Sequence, residues 1–241
     1  MTQMSIAAIL AHVNVVDMKK ILVVVCTPVG REHRDKLLIC SSLSGLNHDV
    51  KMEINYNNKE SLCVMYNKYI NSKFLKKHDI VLFVHDDVYI DDLKIRGKLY
   101  GAIERYDLIG LAGCLQPTIK APALWHKMAP REALRGIVNH PVGDDVNVIQ
   151  STSFGPTPSR VVLIDGLFMA VNLKKALDVG WKFNESFKFH HYDIAASLDA
   201  HRLKMKTGVI PVNVIHKSKG LKNYNDSGYQ ESQSKFLDMY S

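Results

Sequence analysis

The amino-acid sequence predicts an α/β fold, a single domain with a mostly parallel central sheet flanked by helices, and three observations indicate it. Residues 21–26, ILVVVC, form a β-branched run that ends before Pro28 and Gly30, as a central strand does. A helix-like stretch and an alternating strand at 49–55 follow, which completes a strand, helix, strand unit of the kind that builds parallel sheets. The apolar run IVLFV at 80–84 is too short for a typical helix and indicates a strand buried on both faces.

The other elements follow from apolar periodicity and from the positions of glycine and proline. Residues 59–71 have apolar side chains at helical spacing, which predicts an amphipathic helix. Residues 116–160 are rich in proline and are predicted as an irregular excursion that carries binding function. The remaining predicted elements are, in chain order, helices at 34–44 and 93–105, a strand at 107–114, a strand at 161–172 interrupted by Asp165 and Gly166, a short helix closed by Gly180, a helix from about 193 to 204 and a strand at 209–216.

Length, charge and cysteine spacing restrict the class of protein. The 241 residues, 46% of them hydrophobic, suit one α/β domain. With 31 basic and 24 acidic residues the net charge is +7, which favours anionic partners; small phosphorylated ligands and an anionic membrane surface fit equally well. No block of like charges and no basic-aromatic motif indicates nucleic acid, so no nucleic-acid partner is expected. The four cysteines form no CxxC pair and no zinc spacing, which predicts free thiols and a cytoplasmic location.

The predicted domain occupies residues 18–220. Residues 1–17 are predicted as an appended extension, because their apolar patch is far shorter than the about 20 residues of a membrane span and lacks a basic leader. At most peripheral membrane contact is therefore expected. Residues 221–241 are rich in Asn, Ser, Tyr and Asp without an apolar period, and are predicted as a flexible tail or lid.

Polar side chains cluster where the predicted strands end. His85, Asp86 and Asp87 directly follow the strand at 80–84, at the C-terminal edge where α/β sheets bind ligands. Adjacent carboxylates repel each other unless a cation or a hydrogen-bonded ligand compensates them, and a hard divalent ion that bridges to phosphate oxygens is the simplest solution. A solvated acidic turn explains the spacing alone equally well. The other polar clusters are Asp165-Gly166, His190-His191-Tyr192-Asp193 and His216.

Several segments, taken in order, resemble one family. They are CTPVGRE, SLCVMYNKYI, IVLFVHDDVYI, IGLAGC, LIDGLFMAVN, FHHYDIAASLDAHRLK and VIPVNVIHKSKG. Their order is similar to that of the GT-A-fold nucleotide-sugar glycosyltransferases, in particular the glycosyltransferase-like branch of bacteria and large viruses related to inverting family 2. The resemblance implies one Rossmann-like GT-A domain. It also implies a transferase of the hexosyltransferase type, which moves a sugar from a nucleotide diphosphate to an acceptor hydroxyl with inversion in glycan biosynthesis.

The resemblance implies a divalent-metal site built on a DXD-like motif. Asp87 is similar to the carboxylate that holds Mn²⁺ or Mg²⁺ against the donor diphosphate, and His216 to the histidine that completes the site. Lys217 and Lys219 would stand near the departing diphosphate and stabilise its charge. A solvated basic turn is the alternative for both lysines.

The resemblance also implies a nucleotide site, for which an ordinary strand-to-helix turn after residue 26 is an equally compatible alternative. His85 stands where the family more often has an aspartate near the ribose, so Asp86 is a second candidate for that contact. For His85 the alternative is a structural histidine at a strand end, and for Asn67 it is a helix-surface amide. The implied nucleotide-binding residues are Thr27, Pro28, Val29, Arg31, Asn55, Asn67, His85 and Asp86.

Asp193 is similar to the family's general base, which takes the proton of the acceptor hydroxyl as that hydroxyl attacks the anomeric carbon. Its position at a helix N-terminus is expected to lower its pKa and keep it ionised, which suits a base and equally suits a helix cap. Trp125 is a candidate because aromatic faces stack on sugar rings. A strand bulge is the alternative for the glycine next to Asp165. The predicted donor-sugar and acceptor contacts are Asp165, Gly166, His191 and Trp125.

Two other functions stay open. A sugar-nucleotidyltransferase of the same fold would need a glycine-rich, lysine-containing loop after the first strand, where CTPVGREHR offers only Gly30. A non-catalytic nucleotide-sugar or glycan-binding module is the third possibility. For the transferase, the expected partners are a UDP-sugar donor and a glycan, lipid-linked or protein-linked acceptor.

Overall fold

The computed structural model describes residues 19–46, 48–117, 121–143, 145–218 and 226–241, so the predicted extension at 1–17 and Lys219 lie outside the described residues. None of the described helices is both long and apolar enough to cross a bilayer. The strands are β1 (Ile21–Cys26), β2 (Val50–Asn55), β3 (Ile80–Val84), β4 (Val88–Ile90), β5 (Leu108–Gly110), β6 (Ala112–Cys114), β7 (Leu134–Val142), β8 (Asp145–Gly155), β9 (Ser159–Arg160), β10 (Leu163–Ile164), β11 (Phe168–Asn172), β12 (Thr207–Val209) and β13 (Val214–His216). The α-helices are α1 (Leu38–Ser42), α2 (Leu62–Asn67), α3 (Ser72–Leu75), α4 (Ile95–Ile103), α5 (Trp125–Met128), α6 (Leu173–Val179), α7 (Tyr192–Arg202) and α8 (Ser227–Tyr240).

The central sheet has seven strands in the order β2, β1, β3, β11, β5, β12, β9. β1 pairs in parallel with β2 and β3, and β5 with β12, whereas β11 runs antiparallel between β3 and β5. Every residue of β1 and β3 is buried, as their apolar runs predict. The predicted α/β fold with a central sheet and flanking helices is confirmed, but the sheet is mixed rather than mostly parallel, because β11 runs antiparallel to both of its neighbours and β9 runs antiparallel to β12.

A second sheet runs β10, β6, β7, β13, β4, with β8 paired to β7. The stretches 107–114 and 209–216, each predicted as one strand, divide between the two sheets instead. The second division falls at Pro211, which has no N–H to donate to a strand ladder. After the first division, β6 pairs closely with β10 because residue 113 is a glycine. A Cβ at Gly113 would meet the carbonyl oxygen of Leu163.

The predicted helices are confirmed in position, but several are shorter than expected. The predicted helix at 59–71 ends earlier and is followed by α3, where Asn71 begins a new helix by accepting a hydrogen bond from Lys73 N at 2.9 Å. A 3₁₀ turn, Arg31–Lys36, takes the first part of the predicted helix at 34–44. α6 ends at Gly180 with φ +71, the left-handed cap that this glycine predicts.

The prediction of an irregular excursion at 116–160 is wrong over its second half. β7 and β8 form a long antiparallel hairpin there, with register shifts after Gly136 and after Pro141. Residues 147–151 of β8 are all exposed, so this strand lacks the apolar alternation that marks a half-buried strand. The hairpin brings the excursion into the second sheet and against the site described below.

The prediction of a flexible tail is wrong for α8. Asp226 caps this helix, because its Oδ2 accepts a hydrogen bond from a first-turn backbone N–H at 3.2 Å. Phe236 and Tyr240 are buried, and the Tyr240 hydroxyl donates to Asp199 Oδ2 at 2.8 Å. The buried face consists of a few aromatic residues between polar ones, which hides the helical period from a count of apolar residues.

Candidate functional site

A cavity of about 720 Å³ lies at the C-terminal end of β3. Its wall also includes residues of β7 and β8, the end of β13 and the start of α7. Such a volume suits a small-molecule ligand. The residues predicted for the metal, catalytic and donor-sugar or acceptor roles line it together, and they are Asp87, Trp125, Asp165, Gly166, His191, Asp193 and His216. His85, which was predicted to contact the nucleotide, lines it as well.

Most of the predicted nucleotide-binding residues lie outside the described wall of this cavity. β1 is parallel to β3, so the loop that follows β1 stands at the same sheet edge as His85. In this loop Thr27 is buried, and its Oγ1 accepts a hydrogen bond from Val29 N at 3.2 Å. The residues outside the wall are Thr27, Pro28, Val29, Arg31, Asn55, Asn67 and Asp86.

The side-chain amides of Asn55 and Asn67 are bound within the protein. Asn55 Nδ2 donates to Val25 O at 3.2 Å, and its Oδ1 accepts from the Tyr69 hydroxyl at 3.1 Å. Asn67 Oδ1 accepts from Phe183 N at 2.9 Å, and its Nδ2 donates to Phe183 O at 2.9 Å. Asn67 therefore holds the segment that precedes α7.

β4 and β13 bring the two ends of the predicted metal site together. β4 begins directly after Asp87 and pairs antiparallel with β13, so that Val88 lies opposite His216. Lys217 N donates to Asp87 O at 3.0 Å, and His216 Nε2 lies 3.3 Å from Asp87 Oδ1. One nitrogen each of His85 and His216 and a carboxylate oxygen of Asp87 all lie within 4.8 Å of one another.

Asp87 has the properties of a metal ligand. Its Oδ1 is buried and lacks a hydrogen-bond partner among the described residues, and its contact with His216 Nε2 at 3.3 Å is that of an ion pair when the imidazole is protonated. Burial alone would raise the pKa of Asp87, but the contact with His216 and the proximity of His85 outweigh it and lower the pKa below its usual value. An ionised carboxylate with an uncommitted buried oxygen is costly unless a cation compensates it. The three side chains therefore fit a divalent ion.

Asp193 lies in the first turn of α7, and His191, not Asp193, is the N-cap. Asp193 Oδ2 accepts a hydrogen bond from Gly166 N at 2.8 Å, and its Oδ1 accepts from Ile194 N at 2.9 Å. Burial and, after it, repulsion from Asp165 raise the pKa of Asp193 to about 7. The expectation that the helix N-terminus lowers this pKa is wrong, because burial and a second carboxylate outweigh the backbone donors.

Gly166 belongs to a connection between the two sheets rather than to a bulge, because β10 and β11 on either side of it lie in different sheets. A Cβ at Gly166 would meet the hydroxyl of Tyr192 and the side chain of Asp193. Asp165 Oδ1 accepts a hydrogen bond from Leu167 N at 3.1 Å and tightens the turn. Glycine is needed here so that the backbone can approach α7 closely.

Tyr192, His140 and Phe189 line the cavity without a role predicted from the sequence. The Tyr192 hydroxyl lies 2.9 Å from His85 Nε2, and His140 Nδ1 lies 3.1 Å from His216 O. Phe189 is 58% exposed, and its ring stacks on that of His85 with centroids 6.4 Å apart. His140 lies on β7, where the sequence predicts no strand, so strand alternation could not assign it to the cavity.

The predicted acceptor surface and diphosphate contacts are only partly in this cavity. Trp125 is buried in the wall, with its ring centroid 5.4 Å from that of Phe154. The exposed aromatic face in the cavity is that of Phe189, not Trp125. The side chain of Lys217 is not among the described lining residues, and Lys219 lies outside the described ranges.

Fold and cavity together define an α/β protein with a candidate divalent-metal site beside a carboxylate whose pKa is about 7. The model of a glycosyltransferase-like family matches residues 40–240, and the chain belongs to that family. The resemblance predicted from the sequence is therefore confirmed. No curated protein matches the chain.

Two solved structures are similar to the chain at low identity. A197 from STIV is 10% identical, with 85% of this chain and 97% of A197 covered and a TM-score of 0.49. TarS 1–349 from S. aureus, solved in complex with UDP, is 12% identical, with 83% of this chain and 60% of that structure covered and a TM-score of 0.49. The chain thus spans 60% of the TarS structure that it matches.

Proposed function

We propose that the protein is a metal-dependent glycosyltransferase of the hexosyltransferase type, which moves a sugar from a nucleotide diphosphate to an acceptor hydroxyl with inversion. The observation that supports this is one cavity holding two unlike carboxylates, in a chain of the glycosyltransferase-like family. Asp87 has a buried oxygen without a hydrogen-bond partner beside two histidines, and Asp193 has a pKa of about 7.

Asp193 is proposed as the general base. A base is most effective when its pKa lies near the working pH, because it is then ionised and still binds the proton that it takes. Asp193 accepts the proton of the acceptor hydroxyl while that oxygen bonds to the anomeric carbon, and the nucleotide diphosphate leaves from the opposite face. A single displacement of this kind inverts the anomeric configuration. Asp165 and Phe189 are proposed to contact the donor sugar or the acceptor, because both line the cavity beside Asp193.

The diphosphate is proposed to lie over the corner formed by His85, Asp87 and His216. A divalent ion at this corner, Mn²⁺ or Mg²⁺ by the family resemblance, would neutralise the diphosphate and stabilise the leaving group. The nucleoside is then proposed to lie over the loop after β1, at the neighbouring strand end, where Arg31 can reach a phosphate. UDP is the first nucleotide to examine, since it is the one held by the TarS structure.

A turnover assay tests the proposal. The protein is incubated with UDP-, GDP- and dTDP-sugars, with Mn²⁺ or with a chelator, and the released nucleotide diphosphate is measured with and without glycan, lipid-linked and peptide acceptors. Metal-dependent release, and a transferred sugar of inverted configuration by NMR, are the expected results. Donor binding without release or transfer would instead favour a non-catalytic module, and a product of retained configuration would exclude the single displacement.

A further inference from the structure

His85 and Tyr192 form a hydrogen-bonded pair at the edge of the candidate metal corner. The Tyr192 hydroxyl lies 2.9 Å from His85 Nε2 and also 2.9 Å from Gly166 O, to which it donates. A hydroxyl has one proton, and a carbonyl oxygen can only accept. The Tyr192 oxygen must therefore accept from His85, so the imidazole proton lies on Nε2. The lone pair of the neutral imidazole is then on Nδ1.

The surroundings leave this pair little freedom. Tyr192 is buried, and its ring packs against those of Tyr66 and Phe183 with centroids 6.1 Å apart in each case. On the other side His85 is covered by the stacked ring of Phe189, and its backbone N–H donates to Leu167 O at 3.1 Å. A histidine whose second nitrogen is bound in this way is oriented as metal-ligating histidines usually are.

We propose that His85 is a metal ligand through Nδ1 rather than a contact of the ribose, that Tyr192 positions it, and that the resulting site selects a transition-metal ion over Mg²⁺. This inference rests on the metal site of the proposed function. The donor set consists of two imidazole nitrogens and one carboxylate oxygen, from His85, His216 and Asp87. Mg²⁺ prefers oxygen ligands and keeps several of its waters, whereas imidazole suits first-row transition ions.

Binding of the metal alone to the full chain is the first measurement, because it needs no donor and no turnover. Calorimetric titrations with Mn²⁺, Co²⁺ and Mg²⁺ should give dissociation constants for Mn²⁺ and Co²⁺ at least about tenfold lower than that for Mg²⁺. Binding of Mg²⁺ as tight as that of Mn²⁺ would overturn the selectivity.

Spectroscopy of bound Mn²⁺ tests the ligand assignment directly. Electron spin echo modulation should show coupling to two imidazole nitrogens in the wild-type protein and to one in His85→Gln, whose amide keeps the polarity of the site. Unchanged coupling in His85→Gln would remove His85 from the ligand set. His85→Asp should replace a nitrogen donor by an oxygen donor and so reduce the preference for Mn²⁺ over Mg²⁺. An unchanged preference in a folded His85→Asp variant would also count against the assignment.

Tyr192→Phe tests the positioning role, since it keeps the packed ring and removes only the hydroxyl. We expect Co²⁺ affinity to fall about 10-fold to 100-fold, the usual cost of losing an outer hydrogen-bond partner of a ligand, and the visible spectrum of bound Co²⁺ to change. Tyr100→Phe is the control, because it likewise removes a hydrogen-bonded hydroxyl, which lies 2.8 Å from Lys19 O and 3.1 Å from Asp79 Oδ2 at the opposite end of the sheet. Equal effects of the two variants would show only a loss of stability.

The outcomes also separate this inference from the proposed function. A wild-type protein that binds Mn²⁺ through two imidazoles but transfers no sugar would refute the transferase and leave the metal assignment intact. A protein that transfers sugar with Mg²⁺ as well as with Mn²⁺, and shows one coupled nitrogen, would refute this inference and leave the transferase intact.

Discussion

Asp87 and Asp193 line the same cavity in opposite electrostatic surroundings. At the end of β3, His216 and His85 lower the pKa of Asp87 even though burial acts to raise it. At the start of α7, burial is reinforced by Asp165 and raises the pKa of Asp193 to about 7. The two aspartates thus have different pKa values because different groups surround them. One remains an anion that can hold a cation, and the other can exchange a proton near neutral pH.

Stability should also depend on pH in opposite directions for the two groups. The raised pKa of Asp193 means that its contribution is greatest below the unfolded value of about 4 and is lost as the pH rises towards 7. The lowered pKa of Asp87 means that its contribution is present above that unfolded value and is lost as the pH falls through the folded pKa. Ionised Asp193 therefore opposes folding at neutral pH, as expected of a functional rather than a stabilising group.

The largest effect is expected for Asp193→Asn. The amide cannot accept the proton, so single-turnover transfer should fall by about 10² to 10⁴ while donor affinity stays near that of the wild type. In the wild type, ionisation of Asp193 should lower the free energy of unfolding between pH 4 and 8, as measured by denaturant titration. In Asp193→Asn this decrease should be absent. Near-normal transfer would remove Asp193 from the mechanism.

Asp87→Ala is expected to have the next largest effect. Loss of a hydrogen-bond partner of a metal ligand costs up to about 100-fold in affinity, and loss of the ionised ligand itself should weaken Mn²⁺-supported UDP binding by more than that. The remaining UDP binding should no longer respond to metal. The control is Asp178→Ala, which removes an exposed carboxylate paired with Lys174, outside the described lining of the cavity and outside the ligand set. Equal losses in the two variants would mean that net charge, not coordination, is responsible.

His216→Ala should weaken the same binding less severely, by about tenfold or somewhat more, since Asp87 and the diphosphate oxygens remain. His190→Ala removes another histidine of the cavity, outside the candidate ligand set, and serves as its control. Wild-type affinity in His216→Ala, measured by titration with Mn²⁺ and UDP, would return this histidine to a purely structural role.

Asp165→Asn should give the smallest effect, because its amide can still hydrogen-bond a sugar hydroxyl, so the main change should be a shift of the pH profile. Transfer by the wild type should decrease as the pH falls below about 7, because Asp193 becomes protonated. Without the charge of Asp165 the pKa of Asp193 should fall, although burial keeps it above its usual value, so the acid limb of the rate profile should move to lower pH. Asp178→Asn, an exposed carboxylate paired with Lys174, should leave the profile in place.

The sequence predicts the parts of this molecule that local pattern determines. The buried strands β1 and β3 follow from continuous apolar runs, and the polar residues after β3 follow from chain order. The meeting of Asp87 with His216 depends on the β4 and β13 ladder, which no local pattern encodes, and it was expected only by resemblance to a family. The raised pKa of Asp193 depends on burial and on Asp165, so the helix position alone gave the wrong direction.

The hairpin and the last helix show a second reason for failure. β8 is exposed along residues 147–151, and the buried face of α8 is made of a few aromatic residues, so neither displays the apolar periodicity of its structure. Tyr192 and His140 matter through hydrogen bonds to distant segments, Gly166 and His216, and such contacts become visible only after folding.

α8 has a practical consequence for anyone who shortens or labels this protein. Ser232 on this helix lies 2.9 Å from His191 Nδ1 and donates to His190 O at 2.8 Å, so the helix holds the two histidines that precede Asp193. Deletion of α8 would uncover Phe187, whose ring packs on Phe236, and would free the backbone before the proposed base. A truncated protein without activity would then be mistaken for one that has lost a catalytic group, although the missing part is the helix that holds the residues before Asp193.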